Sequence, residues 1–219
     1  QSVTAHAVTP TRTDMIKLHH LNKSRSKRII WLLEELDVDY EIVAYQRNTE
    51  TFLAPDELKK VHQLGKSPVI EDDGLIVTES GAITDYLITK YGNGKFAPKA
   101  GTAEYVEYQQ WLHFAESSAI LPLLLKMFVL KDGAKTEFLE NYADAETVKV
   151  ISYFNDRLQG KRYLVGDTLT GADIMMSFIV EIVKNSGQLV HFKHLVKYDE
   201  QLQSHEKFHT ANELEAKYD

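Results

Sequence analysis

The sequence predicts two domains of different class: an α/β domain with a mixed sheet, followed by a domain built only of helices. Two observations lead to this prediction. Over 15–92 the hydrophobic pattern alternates between the periods of strands and helices, and over 102–219 only the helical period recurs. A polar segment with several glycines, 93–101, separates them and is predicted to be a linker. The length, 219 residues, fits two domains of roughly 100 residues each.

The α/β domain is predicted to begin with a strand, a helix and a second strand. Met15–His20 has a strand pattern, and Tyr40–Tyr45 is rich in β-branched and aromatic residues. The helix between them begins at Ser24 or Ser26 and ends near 37–39. Its apolar residues at helical spacing are Ile29, Leu32, Leu33 and Leu36.

Four further elements complete this domain. Pro55–Leu64 is predicted as a short helix with proline at its first position. Pro68–Glu71 and Leu75–Thr78 are strands joined by an Asp-Asp-Gly turn, which is typical of a hairpin. Glu79–Tyr91 is a helix with one apolar face. Parallel strands need a helical crossover and the last two strands form a hairpin, so the order β-α-β-α-β-β-α predicts a thioredoxin-like fold with a mixed sheet.

The C-terminal domain is predicted from helical periodicity alone. The helix pattern covers Thr102–Lys131, Lys135–Gln159, Gly171–Asn185 and Phe192–Ala216. We expect the first of these helices to kink at Pro122 and the last to break near Ser204. Thr170 and Asp173 have the spacing of a capping box at the start of the most apolar helix.

Composition excludes several classes of function. Lys and Arg number 25 against 32 Asp and Glu, so the net charge is −7, which disfavours a nucleic-acid partner. The chain has no cysteine, which excludes disulfides, thiolate metal sites and a cysteine nucleophile. Any thiol chemistry must therefore use the thiol of a ligand.

The N-terminal residues and the longest apolar run indicate where the protein is found. Residues 1–14 lack the apolar region of a secretory signal and are predicted to be a flexible tail. The run Ala119–Leu130 is interrupted by Pro122 and Lys126 and is shorter than the roughly 20 residues of a membrane span. We expect a soluble, cytoplasmic protein.

Ser67-Pro68 opens an apolar strand, where proline is rare because it lacks an N–H. A cis peptide bond would turn the backbone of Ser67 outward, where its N–H and C=O could pair with the peptide group of a ligand as an added strand does. A trans proline at the start of an edge strand is the alternative.

Glu79 and Ser80 stand where the hairpin passes into a helix. The free N–H groups and the positive dipole end of a helix favour an anion, so Ser80 is a candidate carboxylate ligand and Glu79 a candidate ammonium ligand. An α-amino acid carries both charges. Simple helix capping by Ser80 is the alternative.

The loop 22–26, Asn-Lys-Ser-Arg-Ser, lies between the first strand and the first helix. Its hydroxyl groups, nearby cations and helix N-terminus are suited to stabilising a thiolate, which must belong to a ligand. Helix capping by Ser24 or Ser26 is the alternative.

A different motif, H-E-x-x-H at His205–His209, resembles a zinc-protease helix. Only ten residues follow it, too few for a downstream third ligand, so no metal is expected.

Four segments together resemble the glutathione S-transferase superfamily. The sequence around them is similar to that of fungal and bacterial members of the serine type. The resemblance runs from about Met15 to the C-terminus. The segments are Ser24-Arg25-Ser26 before Ile30–Leu36, Leu64–Val69, Glu79–Ile83 and Thr170–Ile174.

The resemblance implies a set of site residues. Pro68 would be the cis-proline, Ser67 would bond the cysteinyl backbone of glutathione, and Glu79 with Ser80 would hold its γ-glutamyl end. Lys66 would reach the glycine carboxylate. The residue that activates the thiol would be Ser24, with Ser26 as the alternative.

The implied activity is transfer of glutathione, as co-substrate, to apolar electrophiles in a detoxification role, with reduction of organic hydroperoxides as a further activity. A non-catalytic relative that serves as a binding or assembly module is the alternative, because fold does not settle activity. The resemblance also implies a homodimer. The lone Phe52 on a polar segment supports this, since a stranded apolar ring can insert into a partner subunit.

Overall fold

The N-terminal domain is built on a four-stranded sheet. A computed structural model describes residues 15–219, so the predicted tail 1–14 lies outside the described residues. The strands are β1 (Ile16–Leu21), β2 (Tyr40–Tyr45), β3 (Val69–Asp72) and β4 (Leu75–Thr78). Their order in the sheet is β2-β1-β3-β4. β1 pairs with β2 in parallel and with β3 in antiparallel orientation, which confirms the mixed sheet.

Two helices belong to this domain, α1 (Lys27–Leu36) and α2 (Ser80–Tyr91). α1 is the crossover that parallel pairing of β1 and β2 requires, and it is buried along most of its length. β3 and β4 form the predicted hairpin. Its turn places Asp73 at φ 48° and Gly74 at φ 81°, the left-handed values that a tight hairpin turn needs.

The predicted helix Pro55–Leu64 is shorter than the sequence indicated. The structure has a single 3-10 turn, Asp56–Lys60, in which Leu58 alone is buried. Leu64, which the helical pattern assigned to the buried face, is exposed. One buried side chain does not provide the packing energy that a short helix needs, so the prediction of an α-helix was wrong here.

Within the described residues, the C-terminal domain has six α-helices. They are α3 (Ala103–Glu116), α4 (Ile120–Asp132), α5 (Phe138–Arg157), α6 (Gly171–Asn185), α7 (Lys193–Gln203) and α8 (Glu206–Lys217). The predicted kink at Pro122 is instead a break before it, over 117–119. Pro122 is then the third residue of α4, where its missing N–H would have no intrahelical partner anyway. The expected break near Ser204 is confirmed.

The segment Ala103–Asp132 has the length and apolar composition of a membrane span, the one such segment among residues 15–219. In the structure it is two helices rather than one, α3 and α4. Tyr108, Trp111 and Leu112 of α3 are buried in the core of the protein. The first half of the segment is thus a core helix, whereas in α4 the side chains of Leu121, Met127, Phe128 and Leu130 are exposed.

The predicted capping box of α6 is confirmed and is more extensive than the sequence indicated. The Thr170 hydroxyl accepts from the Ala172 N–H (3.2 Å), and Asp173 accepts from the Thr170 N–H (2.9 Å). Asp173 also accepts from the Leu164 N–H (3.0 Å) and the Tyr198 hydroxyl (2.5 Å). Burial raises the pKa of Asp173 to about 6, although all of these bonds act in the opposite direction.

The two domains share one hydrophobic core, to which residues from β1 through α8 contribute. α1 lies at its centre and packs against both α6 and α8. The position of α1 therefore fixes the loop that precedes it, and with that loop the predicted thiol site, relative to the helical domain.

Candidate functional site

The predicted site residues meet at one end of the sheet. The strand register pairs His19 with Val69, and Val69 with Thr78. Three segments therefore lie at the same end of the strands: the loop after β1, the Ser67-Pro68 segment before β3, and the start of α2 after β4. Sequence analysis singled out these three segments separately, and the topology places them side by side.

Ser24 and Ser26 occupy different positions in the loop after β1. Ser24 is partly exposed, whereas Ser26 is completely buried. Ser26 stands at the N-cap position of α1, yet its side chain makes no capping bond within the described residues. The Ser24 hydroxyl instead accepts from the Ser26 N–H (3.1 Å). The idea that the Ser26 side chain caps the helix was wrong, and Ser24 has the hydroxyl that a ligand can reach.

Ser26 connects Ser24 to a pair of ionisable residues, the buried His20 and the partly exposed Glu215. Its hydroxyl oxygen lies 3.0 Å from the Ser24 hydroxyl oxygen and is hydrogen-bonded to His20 Nδ1. His20 Nε2 in turn lies 2.8 Å from a carboxylate oxygen of Glu215, on α8. No pattern in the sequence indicated this group, because His20 and Glu215 lie at opposite ends of the chain.

The Ser67-Pro68 peptide bond is cis, as one of the two sequence alternatives required. The Ser67 hydroxyl donates to the His19 carbonyl (2.8 Å) and accepts from the Leu21 N–H (3.1 Å). The side chain of Ser67 is thus bound to β1, while Pro68 is buried. Lys66, one residue earlier, is exposed.

Glu79 and Ser80 lie at the start of α2. Glu79 is an exposed residue at φ 69° and ψ 121°, a conformation that costs a non-glycine residue about 1–3 kcal/mol. Ser80 is buried and is the first helical residue, so Glu79 rather than Ser80 holds the N-cap position. Capping by Ser80, the alternative to a ligand role, is therefore wrong.

A cleft of about 440 Å³ begins at Glu79 and runs between α2 and α3 as far as Glu116. Glu116 forms ion pairs with two arginines, Arg25 in the loop after β1 and Arg28 in α1. Arg28 Nη2 lies 2.5 Å from one of its oxygens and Arg25 Nε lies 2.8 Å from the other. Both guanidinium groups also lie over the ring of Phe178, at 5.1 and 5.4 Å.

This cluster leaves a surplus of positive charge beside Ser24, because two guanidinium groups share one carboxylate. Burial lowers the pKa of Arg28, and the attraction of Glu116 opposes that shift. Arg25 is about one-third exposed and follows Ser24 directly. Arginine keeps its charge in proteins. The cluster therefore makes the end of the sheet favourable for an anion.

Both histidines of the H-E-x-x-H motif are hydrogen-bonded within the protein. His205 Nε2 is hydrogen-bonded to the Tyr163 hydroxyl (2.9 Å), whereas His209 Nε2 is bonded to the Gln203 carbonyl (2.5 Å). Over residues 15–219, no group of three or more His, Asp or Glu side chains is arranged to hold a metal ion.

Comparison with known proteins identifies the family. The model of the glutathione S-transferase N-terminal domain matches residues 13–89, and that of the C-terminal domain matches residues 122–213. Glutathione S-transferase 3 of Schizosaccharomyces pombe is 36% identical over 182 residues, covering 75% of this chain and 72% of the relative. The chain belongs to the glutathione S-transferase family.

Other glutathione S-transferases are also similar. Glutathione S-transferase 1 of Saccharomyces cerevisiae is 31% identical over 191 residues, covering 77% of this chain and 80% of the relative. The crystal structure of a glutathione S-transferase from Actinobacillus pleuropneumoniae superposes with a TM-score of 0.83 at 35% identity, covering 92% of this chain and 93% of that one. A homologue from Lodderomyces elongisporus (TM-score 0.77, 25% identity, 92% and 99% covered) holds two glutathione molecules per subunit.

Proposed function

We propose that this protein is a glutathione transferase, which binds glutathione at the end of the sheet and activates its thiol as a thiolate for attack on apolar electrophiles. The observation that carries the proposal is the convergence of the Ser24 loop, the cis Ser67-Pro68 segment and Glu79-Ser80 at one edge. Each segment has a separate chemistry for one part of the tripeptide. The family relationship supports the same assignment.

The role of each residue follows from its position. The backbone of Ser67 pairs with the cysteinyl peptide group, because the side chain of Ser67 is engaged with β1. Ser80 and the N-terminus of α2 bind the γ-glutamyl carboxylate, and Glu79 binds its ammonium group. The exposed Lys66 binds the glycine carboxylate.

Ser24 donates the hydrogen bond that stabilises the thiolate. Its hydroxyl is the partly exposed one of the serine pair, and the helix dipole of α1 and the arginine cluster add favourable potential there. The thiolate attacks an electrophilic carbon or the oxygen of an organic hydroperoxide. We place the reaction in the cytoplasm, where a reduced glutathione pool is maintained, and assign it to detoxification.

A glutathione-affinity column followed by a conjugation assay with an activated aryl halide tests this proposal. Retention with turnover is the expected result. Retention without turnover would instead establish the alternative, a non-catalytic binding or assembly module. No retention would overturn both.

We further propose a homodimer. Phe52 remains 39% exposed although Lys131 of the same chain lies 3.6 Å from its ring centroid. Leu53, Phe128 and Leu130 are exposed as well. Exposed apolar side chains of this size favour burial against a second copy. Light scattering at micromolar concentration should give twice the 25.0 kDa of the chain, and a mass of 25.0 kDa would contradict the dimer.

A further inference from the structure

His20 is a completely buried histidine with a polar partner at each ring nitrogen. Nδ1 is hydrogen-bonded to the Ser26 hydroxyl, and Nε2 lies 2.8 Å from Glu215 Oε2. The second oxygen of Glu215 accepts from the Lys23 N–H (3.0 Å), so the carboxylate is held in place by the same loop. α8 brings Glu215 to the site, and its C-terminal carbonyl at Tyr218 accepts from the Gln46 side chain.

Short polar contacts form one continuous line from α8 to the site. Glu215 meets His20 through an ion-pair contact of 2.8 Å that lacks hydrogen-bond geometry. Hydrogen bonds then join His20 to Ser26 and Ser26 to Ser24, with 3.0 Å between the two hydroxyl oxygens. The two middle members, His20 and Ser26, are completely buried, whereas Ser24 and Glu215 at the two ends are each partly exposed. The other acceptor for the Ser26 hydroxyl proton is the Leu21 carbonyl, which is farther away at 3.4 Å.

We propose that Glu215, His20, Ser26 and Ser24 form a proton relay that removes the thiol proton of glutathione, with His20 as its final acceptor. This inference rests on the proposed function and deepens it. Ser24 touches the substrate. His20, Ser26 and Glu215 act through Ser24 and are positioning residues.

The transfer balances at each atom. The S–H bond breaks and its proton joins Ser24 Oγ, while the Ser24 proton passes to Ser26 Oγ and the Ser26 proton to His20 Nδ1. A hydroxyl group can donate and accept at once, which allows the transfer without movement of heavy atoms. The products are a thiolate that accepts from the Ser24 hydroxyl and an imidazolium stabilised by the Glu215 carboxylate. After the thiolate reacts, the proton returns along the same hydroxyls to the leaving group or to water.

The charged groups around His20 leave Glu215 as its direct ionic partner. Tyr218, the residue directly after α8, is in edge contact with the ring of His20, at 6.0 Å between centroids. Arg25 and Arg28 are paired with Glu116, Lys27 with Glu181, and, on the opposite face of β1, His19 with Tyr45 and Glu71. Arg47 donates to the carbonyls of Lys23 and Phe52. A change in the ionisation of His20 is therefore felt mainly by Glu215 and by the serine pair.

A purely structural role for His20 makes a different prediction from a relay. A structural histidine affects stability alone, whereas a relay histidine also sets the ionisation of the bound thiol. His205 is a matched control, because it too is bonded to a hydroxyl, of Tyr163, and lies 3.7 Å from a carboxylate, of Glu35. It has no link to either serine.

The test is the ultraviolet titration of the glutathione thiolate bound to wild type, His20→Gln, Ser26→Ala, Glu215→Gln and His205→Gln, with steady-state kinetics of each. We expect the first three variants to raise the measured pKa of the bound thiol by about one unit or more and to lower kcat at least roughly tenfold. The KM for glutathione should change less than about twofold, because none of the three touches it. His205→Gln should leave the titration of the thiol unchanged.

Two results separate the relay from the proposed function. If wild type is retained by glutathione and turns over, but His20→Gln and Ser26→Ala titrate as wild type does, the relay is overturned and the transferase remains. If wild type does not bind glutathione, the proposed function fails and the relay fails with it. Should His20→Gln not fold, Ser26→Ala removes a single oxygen atom from the line and decides the question alone.

Discussion

Arg28 and Glu116 form an ion pair across the boundary between the two domains, with 2.5 Å between Nη2 and Oε1. Arg28 is buried and also donates to the Met175 carbonyl (3.0 Å) and the Arg25 carbonyl (3.2 Å). One guanidinium group thus connects α1 with α3 and α6. These contacts hold the loop of Ser24 against the helical domain.

Replacing Arg28 should therefore destabilise the protein far more than replacing its neighbour. Arg28→Met removes a hydrogen-bond donor from Glu116 and from the Met175 and Arg25 carbonyls, and we expect a loss of about 3 kcal/mol in the free energy of unfolding. Arg25→Met removes a partly exposed pair to the same carboxylate and should cost about 1 kcal/mol or less. Urea denaturation of both variants measures the difference. Equal losses would show that Arg28 is not the main connection.

Two glycines at the starts of helices should respond in opposite ways to alanine. A Cβ at Gly171, in α6, would lie 2.6 Å from the Tyr108 hydroxyl and 2.8 Å from side-chain atoms of Ile88 and Thr84. A Cβ at Gly81, in α2, would meet its nearest atom at 3.8 Å.

We therefore expect Gly171→Ala to lower the free energy of unfolding by about 1–3 kcal/mol through overpacking. Gly81→Ala should be neutral or stabilising by up to about 1 kcal/mol, because alanine favours the helix. Thermal melts of both variants test the pair, and a tolerated alanine at 171 would contradict the close packing of α6.

Asp173 should give stability a specific dependence on pH. Its folded pKa, about 6, lies above the unfolded value of 3.8, so between these values the folded state binds more protons. Its contribution to stability therefore falls as pH rises from about 4 to about 6 and is constant above that range. The difference in unfolding free energy between wild type and Asp173→Asn isolates this group. The difference should grow as pH is lowered through the same window, and a constant difference would refute the raised pKa.

Ser80 should contribute to glutathione binding rather than to chemistry. Its proposed contact with the γ-glutamyl carboxylate is made equally in the ground and transition states, so Ser80→Ala should raise the KM for glutathione with a smaller change in kcat. Because Ser80 does not occupy the N-cap position, no loss of capping energy is expected. Ser186→Ala, at the far end of α6, serves as the control. A fall in kcat alone would assign Ser80 a different role.

Local patterns predicted much of the fold and several features of the site. The Asp-Asp-Gly turn, the strand patterns and the Thr170/Asp173 spacing each depend on neighbours in the sequence, and each is present in the structure. Ser67-Pro68 allowed two backbone geometries, and the cis form is observed.

Tertiary pairing was not predictable in the same way. The histidine and carboxylate of the relay, His20 and Glu215, come from the first strand and the last helix, and no periodicity links them. Arg28 and Glu116 likewise lie on different domains. The helix predicted after β2 is only a 3-10 turn in the structure. The sequence pattern assigned Leu64 to the buried face, but Leu64 is exposed, and this exposure depends on how the rest of the protein packs.

The ionisation of bound glutathione in wild type and in Ser24→Ala measures whether the Ser24 hydroxyl activates the thiol. One charge-assisted hydrogen bond is worth about 1.5–3 kcal/mol, which corresponds to roughly one to two pKa units. The thiol bound to wild type should thus ionise well below the roughly 8.5 of a free thiol, and Ser24→Ala should return it toward that value, lower kcat and leave glutathione affinity nearly intact. If Ser24→Ala titrates as wild type does, the hydroxyl of Ser24 is not the group that activates the thiol.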